Sequence, residues 1–198
     1  MIPYMTLNPA GHTISFALVE LAKNIAVQTQ LREELRKVSQ DPTDKQRHVD
    51  NTLLKRVVKE TMRLWPVVAG GGARIIPEDM VVTSNDGSGE ERSMKIPKGS
   101  ISMTMTFSIM RDKDTFDRPD EWLPDRWKNP TQDMKTAFIP FMVGRRSCPG
   151  QLLAMAESEV FLARLLMDYE WSLVKETQPE YIITLKIKGT ILQAKKIA

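Results

Sequence analysis

The chain has very few of the side chains that form disulfides and metal clusters. It contains one cysteine, which excludes an internal disulfide and gives no indication of an oxidising compartment. Its two histidines, His12 and His48, lie far apart and do not have the spacing of metal ligands. No apolar stretch approaches the ~20 residues needed to cross a bilayer, so no transmembrane segment is predicted in this chain.

A strong charge of one sign is also absent. The net charge is +3 and the isoelectric point is near 9.0, with basic residues scattered along the chain rather than massed in a stripe. This distribution gives no support for a nucleic-acid partner. A length of 198 residues with 41% hydrophobic content is typical of one globular domain that can bury a core.

Apolar periodicity predicts three helices in the first third of the chain. Asn8 and Pro9 suit the cap and first turn of the first helix. The second helix is predicted over Ile25–Val38 and the third over about Val49–Trp65, which Pro66 ends. The third helix has a predicted buried stripe, which consists of Leu54, Val57, Val58, Thr61, Met62 and Trp65.

Short extended segments and one long helix are predicted after Pro66. The helix, Gln151–Tyr169, is rich in apolar residues and is expected to be mostly buried. Residues 113–141 are predicted to be loop-rich, and Ile182–Ile187 with Ile191–Ala194 to form a terminal hairpin around Gly189. The remaining predicted strands are Val67–Ala69, Ala73–Ile76, a hairpin of Met80–Thr83 with Ser93–Ile96, and Ile101–Met105.

The single cysteine, Cys148, stands just before the long helix. Pro149 suits the first turn of that helix, which places Cys148 at a helix N-terminus, where free N–H groups favour an ionised sulfur. Gly144 and Gly150 allow a tight turn and the close approach of a flat ligand. A Cys-Pro-Gly sequence by itself more often marks a buried structural cysteine beside a turn, so a functional interpretation depends on the wider spacing.

That wider spacing resembles the haem-binding loop of the cytochrome P-450 haem-thiolate monooxygenases, Phe-x-x-Gly-x-Arg-x-Cys-x-Gly. All five fixed positions are met by the run Phe141-Met-Val-Gly144-Arg-Arg146-Ser-Cys148-Pro149-Gly150. Met142 departs from the small or polar residue that is usual in the family. The resemblance implies a haem cofactor with Cys148 as the axial thiolate ligand of iron. It also implies that Arg146 pairs with a haem propionate and that Phe141 shields the sulfur.

Glu60 and Arg63 lie one turn apart on the third helix, a spacing that in most proteins gives a solvated surface pair. Their context resembles the Glu-x-x-Arg helix of the same family, which is followed by Leu-x-Pro. The family joins this pair to an arginine from a Pro-x-Arg-aromatic segment, here Arg126, with Asp125 where Glu is more common. The resemblance implies a buried charge network that holds the cysteine loop in place.

Two further residues have weaker matches. Arg74 resembles by position a family arginine that binds a haem propionate, and an ordinary surface arginine fits nearly as well. Residues 10–15, Ala-Gly-His-Thr-Ile-Ser, resemble the oxygen-binding helix, but its acid is missing, and one missing residue rotates a helix by about 100°. Thr13 is the candidate catalytic residue for proton delivery. The alternative is a plain helix N-terminus capped by polar residues.

These motifs follow one another in the family's order. The resemblance therefore implies a mainly α protein with small β-sheets, the C-terminal portion of the cytochrome P-450 fold. Residues 1–198 would form a partial domain, from a remnant of the oxygen helix to the C-terminus. Because family members carry about as much chain again before this point, the sequence has the character of a C-terminal half.

The implied function is that of a haem-thiolate monooxygenase, which inserts one atom of dioxygen into a small organic substrate with electrons from a reductase. Basic residues near Lys128, Lys135 and Arg145 suit an acidic electron donor. The alternative is a non-catalytic, truncated haem-binding or interaction fragment. Many full-length relatives are bound to the endoplasmic reticulum, whereas nothing in this chain predicts a compartment.

Overall fold

The computed structural model describes residues 3–40, 52–85, 91–181 and 184–197. These residues form six α-helices and eight β-strands, and the strands pair only two by two in antiparallel sheets. The helices are Pro3–Lys23 (α1), Ile25–Gln40 (α2), Leu53–Leu64 (α3), Thr106–Ile109 (α4), Gln132–Ala137 (α5) and Gln151–Asp168 (α6). The strands are Gly71–Ile75 (β1), Met80–Asn85 (β2), Glu91–Ile96 (β3), Ile101–Thr104 (β4), Tyr169–Lys175 (β5), Glu180–Tyr181 (β6), Leu185–Lys186 (β7) and Ile191–Lys196 (β8).

The core lies where α1, α2, α3 and α6 meet. Leu21, Leu31, Val57, Leu162 and Leu166 are each exposed by 1% or less, so every one of these helices contributes a fully buried aliphatic side chain. Burial of such a side chain stabilises the fold by roughly 1.5–3 kcal/mol. The predicted stripe of α3 is confirmed, with its two end positions only partly buried. The mainly α fold with small sheets is also confirmed.

Residues 70–105 form a compact unit of their own, separate from residues 1–69 and 106–198. In this unit β1 pairs with β4 and β2 pairs with β3, which confirms the predicted strands of the hairpin. The predicted turn residues 86–90 lie outside the described residues. The predicted strand Val67–Ala69 is wrong, because these residues form bends and the ladder begins instead at Gly71, opposite Thr104.

The predicted terminal hairpin is also wrong. β7 pairs with β6, whereas β8 pairs with β5, so the two predicted partners belong to different sheets. Gly189, at φ +80°, turns the chain between them. The Thr177 hydroxyl donates a 2.6 Å hydrogen bond to the carbonyl of Lys188, which ties this turn to the segment after β5 instead. Ile182 and Ile183 lie outside the described residues.

Several predicted boundaries of the helices and loops are also wrong. α1 begins at Pro3, not at Asn8–Pro9, and continues through Pro9, whose missing N–H removes only one helical hydrogen bond. α3 begins at Leu53 because the Thr52 hydroxyl caps it by accepting the amide of Lys55 at 3.3 Å. The predicted start of α3 at Val49 lies outside the described residues. Residues 113–141 contain a 3₁₀ helix at Pro124–Trp127 as well as α5.

The long helix α6 is not mostly buried, contrary to the expectation from its composition. Ser158, Leu162 and Leu166 are its buried residues. Leu152, with 84% of its surface exposed, and Phe161, with 57%, lie outside this buried stripe, one on either flank of it. The reason is that α1, α2, α3 and β5 cover one side of α6 only. None of the helices that the structure describes is long and apolar enough to span a membrane.

Candidate functional site

A carboxylate sits at the centre of a fully buried polar network. Glu60 and Arg63 are each 0% exposed, so the alternative of a solvated surface pair is wrong. The guanidinium of Arg63 donates two hydrogen bonds to the carboxylate, Nε to Oε2 at 3.0 Å and Nη2 to Oε1 at 2.9 Å. The Nε of Arg126 donates a third, to Oε1 at 2.9 Å. The structure thus brings together the three residues predicted to form this network.

Two more donors complete the coordination of Glu60. The amide of Leu123 donates to Oε1 at 2.9 Å, and the indole Nε1 of Trp127 donates to Oε2 at 2.9 Å. The carboxylate therefore accepts five hydrogen bonds, which compensates for the loss of its hydration. Sequence reasoning missed the indole donor, although Trp127 is the aromatic residue of the matched segment. The signal that was available is that a buried Trp needs a partner for its N–H.

The two arginines also bind the backbone of the loop between α4 and the 3₁₀ helix. Arg63 donates from Nη1 to the carbonyls of Met110 and Pro119 at 2.9 and 2.7 Å. Arg126 donates from Nη1 to the carbonyl of Asp117 at 2.7 Å. Asp125, by contrast, is exposed and pairs with Lys128 at 2.8 Å, so this departure from the family pattern lies outside the network. The network thus fixes a loop that has little regular structure of its own.

A further arginine, largely but not fully buried, lies beside the network, and sequence reasoning missed it. Arg111 places its guanidinium 3.7 Å from the ring centroid of Phe107 and pairs through Nε with Asp120 at 3.4 Å. Burial, together with the positive charge of Arg63, lowers the pKa of Arg111 to about 10. Arg111 therefore still carries its charge near neutral pH. Its sequence context, Met-Arg-Asp-Lys-Asp, gives no sign that it is buried.

Aromatic packing links this network to the loop that carries Cys148. Trp127, which donates to Glu60, meets the ring of Phe138 edge-on with centroids 4.7 Å apart. Phe138 follows α5, and both Phe138 and Phe141 pack against the main core. The start of the cysteine loop is thus anchored on the same side chains that surround the buried carboxylate.

The cysteine loop itself is a series of tight turns. The amide of Cys148 donates to the carbonyl of Phe141 at 2.9 Å, which closes the loop on itself. A 3₁₀ turn, Gly144–Arg146, lies between them. Contrary to the prediction, Pro149 does not lie in the first turn of α6, because Gly150 is the N-cap of that helix. Cys148 therefore precedes the cap by two residues, in a turn that the amide of Gln151 closes onto its carbonyl at 3.4 Å.

The thiol of Cys148 is exposed, so the alternative of a buried structural cysteine is wrong. Gly144, at φ +76°, and Met142, at φ +62°, both adopt the left-handed conformation that suits glycine. Met142, the residue that departs from the family's pattern, thus lies at a position where its backbone is strained. A Cβ added at Gly150 would lie 3.8 Å from the Cys148 Sγ, so this glycine keeps the thiol open on one side. Arg146 is exposed in the same loop.

Thr13 and Arg74 lie elsewhere in the chain. Thr13 is 4% exposed, and its hydroxyl donates to the Pro9 carbonyl at 3.3 Å. Because Thr13 lies well inside α1, the alternative of a capped helix N-terminus is wrong. Arg74 is exposed on β1, in the unit of residues 70–105, and donates to the Ala73 carbonyl at 3.0 Å. Its predicted role stays a prediction.

His12, next to Thr13, has an imidazole that sequence reasoning left without a role. Its Nδ1 is buried and has no hydrogen-bond partner among the residues that the structure describes. Burial lowers the pKa of His12 from its usual value of 6.5, and the charge of Lys186 lowers it further. A hydrogen bond with the backbone of Leu185 partly opposes the shift. His12 is therefore expected to be neutral at pH 7.

Comparison with known proteins gives one consistent result. The family model for cytochrome P450 matches residues 9–198. Ent-cassadiene C11-alpha-hydroxylase 1 of Oryza sativa subsp. japonica is 36% identical over 168 residues, which are 81% of this chain and 32% of the hydroxylase. The mitochondrial sterol 26-hydroxylase of Oryctolagus cuniculus is 32% identical over 180 residues, 86% of this chain and 32% of the relative.

A third relative, cytochrome P450 3A6 of Oryctolagus cuniculus, is 32% identical over 192 residues, 93% of this chain and 35% of the relative. The chain thus spans about a third of the length of these curated relatives. The family match covers both the helix that holds the buried carboxylate and the loop that holds the exposed thiol. The chain belongs to the cytochrome P450 family.

Proposed function

We propose that this chain is the haem-binding portion of a cytochrome P450 monooxygenase in which the Cys148 thiolate would hold the haem iron. The observation that carries the proposal is the exposed thiol of Cys148, held in a turn-rich loop that matches the family's five fixed positions. Bound haem would supply the oxygen chemistry, which inserts one atom of dioxygen into an organic substrate with electrons from a reductase. The residues of this chain then bind, orient and protect that group.

The geometry of the cysteine loop fits a flat ligand. The Cys148 thiol is solvent-accessible, and Gly150 leaves open the space beside the Sγ that a side chain would narrow. Arg146, exposed in the same loop, is the proposed partner of a haem carboxylate. Phe141 is partly buried against the core at the start of the loop, from where it is proposed to shield the sulfur from water.

The Glu60 network is proposed to hold this loop in position. Trp127 contacts both the carboxylate of Glu60 and the ring of Phe138, so a change at the carboxylate is transmitted to the residues that precede the loop. Metal ligands need such supporting contacts, because a loosely held ligand binds the metal more weakly. Glu60, Arg63 and Arg126 thereby act as positioning residues that do not touch the cofactor.

Thr13 is the proposed residue that would hold and move a proton during the oxygen chemistry that bound haem would supply. Its hydroxyl donates to the Pro9 carbonyl over a long 3.3 Å, so to pass this proton on it would rotate away from Pro9 and take a replacement proton from a neighbouring donor. Ser15 makes the same kind of bond, to the Gly11 carbonyl at 2.8 Å, and is exposed, so it is a matched control. We expect Thr13→Ala to lower the fraction of electrons recovered in product, and Ser15→Ala to leave it unchanged.

An acidic electron donor is the proposed protein partner. Lys135 and Arg145 are exposed, whereas Lys128 is paired with Asp125 at 2.8 Å. Exposed basic side chains near the cysteine loop raise the rate of association with an acidic partner and make that rate depend on salt. We therefore expect a reductase to reduce the haem-loaded chain more slowly as ionic strength rises.

The decisive experiment reconstitutes the 198-residue chain with haem and records the carbon-monoxide difference spectrum after reduction. Since Cys148 is the single cysteine, thiolate ligation predicts a red-shifted band that is present in the wild type and absent in Cys148→Ala. Ser147→Ala is the control and should retain the band. A haem-loaded Cys148→Ala protein with an unchanged band would overturn the proposal. Absence of haem uptake would favour a non-catalytic fragment.

A further inference from the structure

A cavity of about 160 Å³ lies apart from the cysteine loop. One of its walls is a face of α1, on which Phe16, Val19, Glu20 and Lys23 recur at the spacing of successive helical turns. Trp65 stacks on Phe16 with ring centroids 5.2 Å apart and adds an aromatic wall. The remaining walls are residues 176–179, which follow β5, and residues on either side of Gly189.

The charges that line this cavity do not balance. Glu20 is 5% exposed, and its Oε1 accepts the indole N–H of Trp65 at 2.9 Å. Lys23 lies 3.6 Å from the same oxygen and also pairs with Glu176, whose side chain is half exposed at the rim. Two carboxylates therefore share one ammonium group, which leaves the lining with a net charge of −1. Because Lys23 can neutralise only one of the two carboxylates, the excess negative charge at the rim attracts a second cation.

The rest of the lining is apolar or already hydrogen-bonded. Phe16, Val19, Pro179 and Ile187 present carbon surfaces. The hydroxyl of Thr190 at the cavity wall lies 2.9 Å from that of Thr177, which itself donates to the Lys188 carbonyl, so both hydroxyls already have hydrogen-bond partners. The cavity thus combines an apolar interior with excess negative charge near its rim. That combination suits an amphipathic cation with a hydrocarbon body and a charged head.

The volume limits the size of the occupant. An apolar cavity of roughly 150 Å³ holds benzene, with its six heavy atoms. We propose that this cavity binds a small primary alkylammonium ion of about six heavy atoms, with its chain against Phe16 and Val19 and its ammonium group beside the half-exposed carboxylate of Glu176 at the rim, which shares Lys23 with Glu20. This site is separate from the haem chemistry and stands whether or not Cys148 ligates iron.

Isothermal titration of the 198-residue chain with n-pentylammonium chloride, at low ionic strength and pH 7, tests the site. We expect saturable binding with one site, at least tenfold tighter than for 1-pentanol, which has the same size but no charge. Glu176→Gln is expected to weaken pentylammonium binding about five- to tenfold, a change consistent with the loss of one charged partner. Glu170 is exposed on β5, so Glu170→Gln is the matched control and should leave the affinity for pentylammonium unchanged.

Lys23→Met provides a second variant with an effect of opposite sign. Removal of the resident ammonium group leaves both carboxylates for the ligand, so a folded Lys23→Met protein should bind pentylammonium more tightly than the wild type. Equal binding of pentanol and pentylammonium, equal effects of Glu176→Gln and Glu170→Gln, or no saturable binding to the wild type would each overturn the proposal.

Discussion

The substitution Glu60→Gln tests the physical role of the buried network most directly. The change keeps the size of the side chain but removes its charge and replaces one oxygen with an NH₂ group. In the structure, Oε2 accepts from Arg63 at 3.0 Å and from Trp127 at 2.9 Å. Oε1 accepts from Arg63, Arg126 and the Leu123 amide. Whichever way the amide is oriented, its NH₂ group faces N–H donors and cannot accept from them.

The magnitude follows from what the substitution leaves behind. The guanidinium of Arg63 would keep its carbonyl partners but would have no anion, in a position that is 0% exposed. The side chain of Arg126, 8% exposed, would lose the same anion. Removal of one member of a buried charge network costs about 3–5 kcal/mol. For a domain of this size, that corresponds to a fall of about 6–20 °C in the melting temperature.

The assay is urea unfolding followed by far-ultraviolet circular dichroism, with thermal melts as a second measurement. Glu121→Gln is the matched control, because the side chain of Glu121 is 56% exposed and pairs with Arg118 at 3.4 Å on the surface. That change is expected to alter the free energy of unfolding by less than about 0.5 kcal/mol. If Glu60→Gln were no more destabilising than Glu121→Gln, the network would not stabilise the fold and our reasoning would fail.

Three further predictions concern single side chains. Trp127→Phe keeps the aromatic packing but removes the donor to Glu60, so we expect urea unfolding to show a loss of about 1.5–3 kcal/mol. Met142→Gly should change stability by less than about 0.5 kcal/mol, because relief of left-handed strain offsets the added chain entropy. Met134→Gly, at the buried position of α5, should by contrast cost about 2 kcal/mol or more. Burial lowers the pKa of His12 in the folded state, so the unfolded chain binds more protons than the folded one as the pH falls below about 6.5. The free energy of unfolding of the wild type should therefore fall more between roughly pH 7 and pH 5 than that of His12→Gln.

Local sequence patterns predicted the four long helices, although not all of their ends. The apolar stripe of α3 and the ladder of β2 with β3 depend on periodicity and on turn residues between the strands, both of which are visible within a short window. The start of α3 was missed because Thr52 was not identified as its cap, although a threonine before an apolar periodic segment is a recognised signal. The start of α3 is therefore predictable from the sequence.

The terminal strands could not be predicted in the same way. β8 pairs with β5 across intervening residues that include a separate two-stranded sheet, and no local pattern specifies which of several short apolar segments is the partner. The exposure of α6 had a different cause. Its composition indicates an apolar helix, but burial depends on which elements cover it, and those are not determined by the helix itself.

The site was predictable only where several motifs were considered together. A Glu and an Arg at spacing i, i+3 give the same sequence pattern whether they are on a surface or 0% exposed, as Glu60 and Arg63 are. What distinguishes the two cases is a second positive charge supplied from a distant segment, here Arg126. Since a buried carboxylate with five donors is costly unless all five are present, the donors have to be retained as a set. For this reason, the order of motifs along the chain was enough to predict the network of Glu60, Arg63 and Arg126. The two other donors, the Leu123 amide and the Trp127 indole, became evident only from the structure.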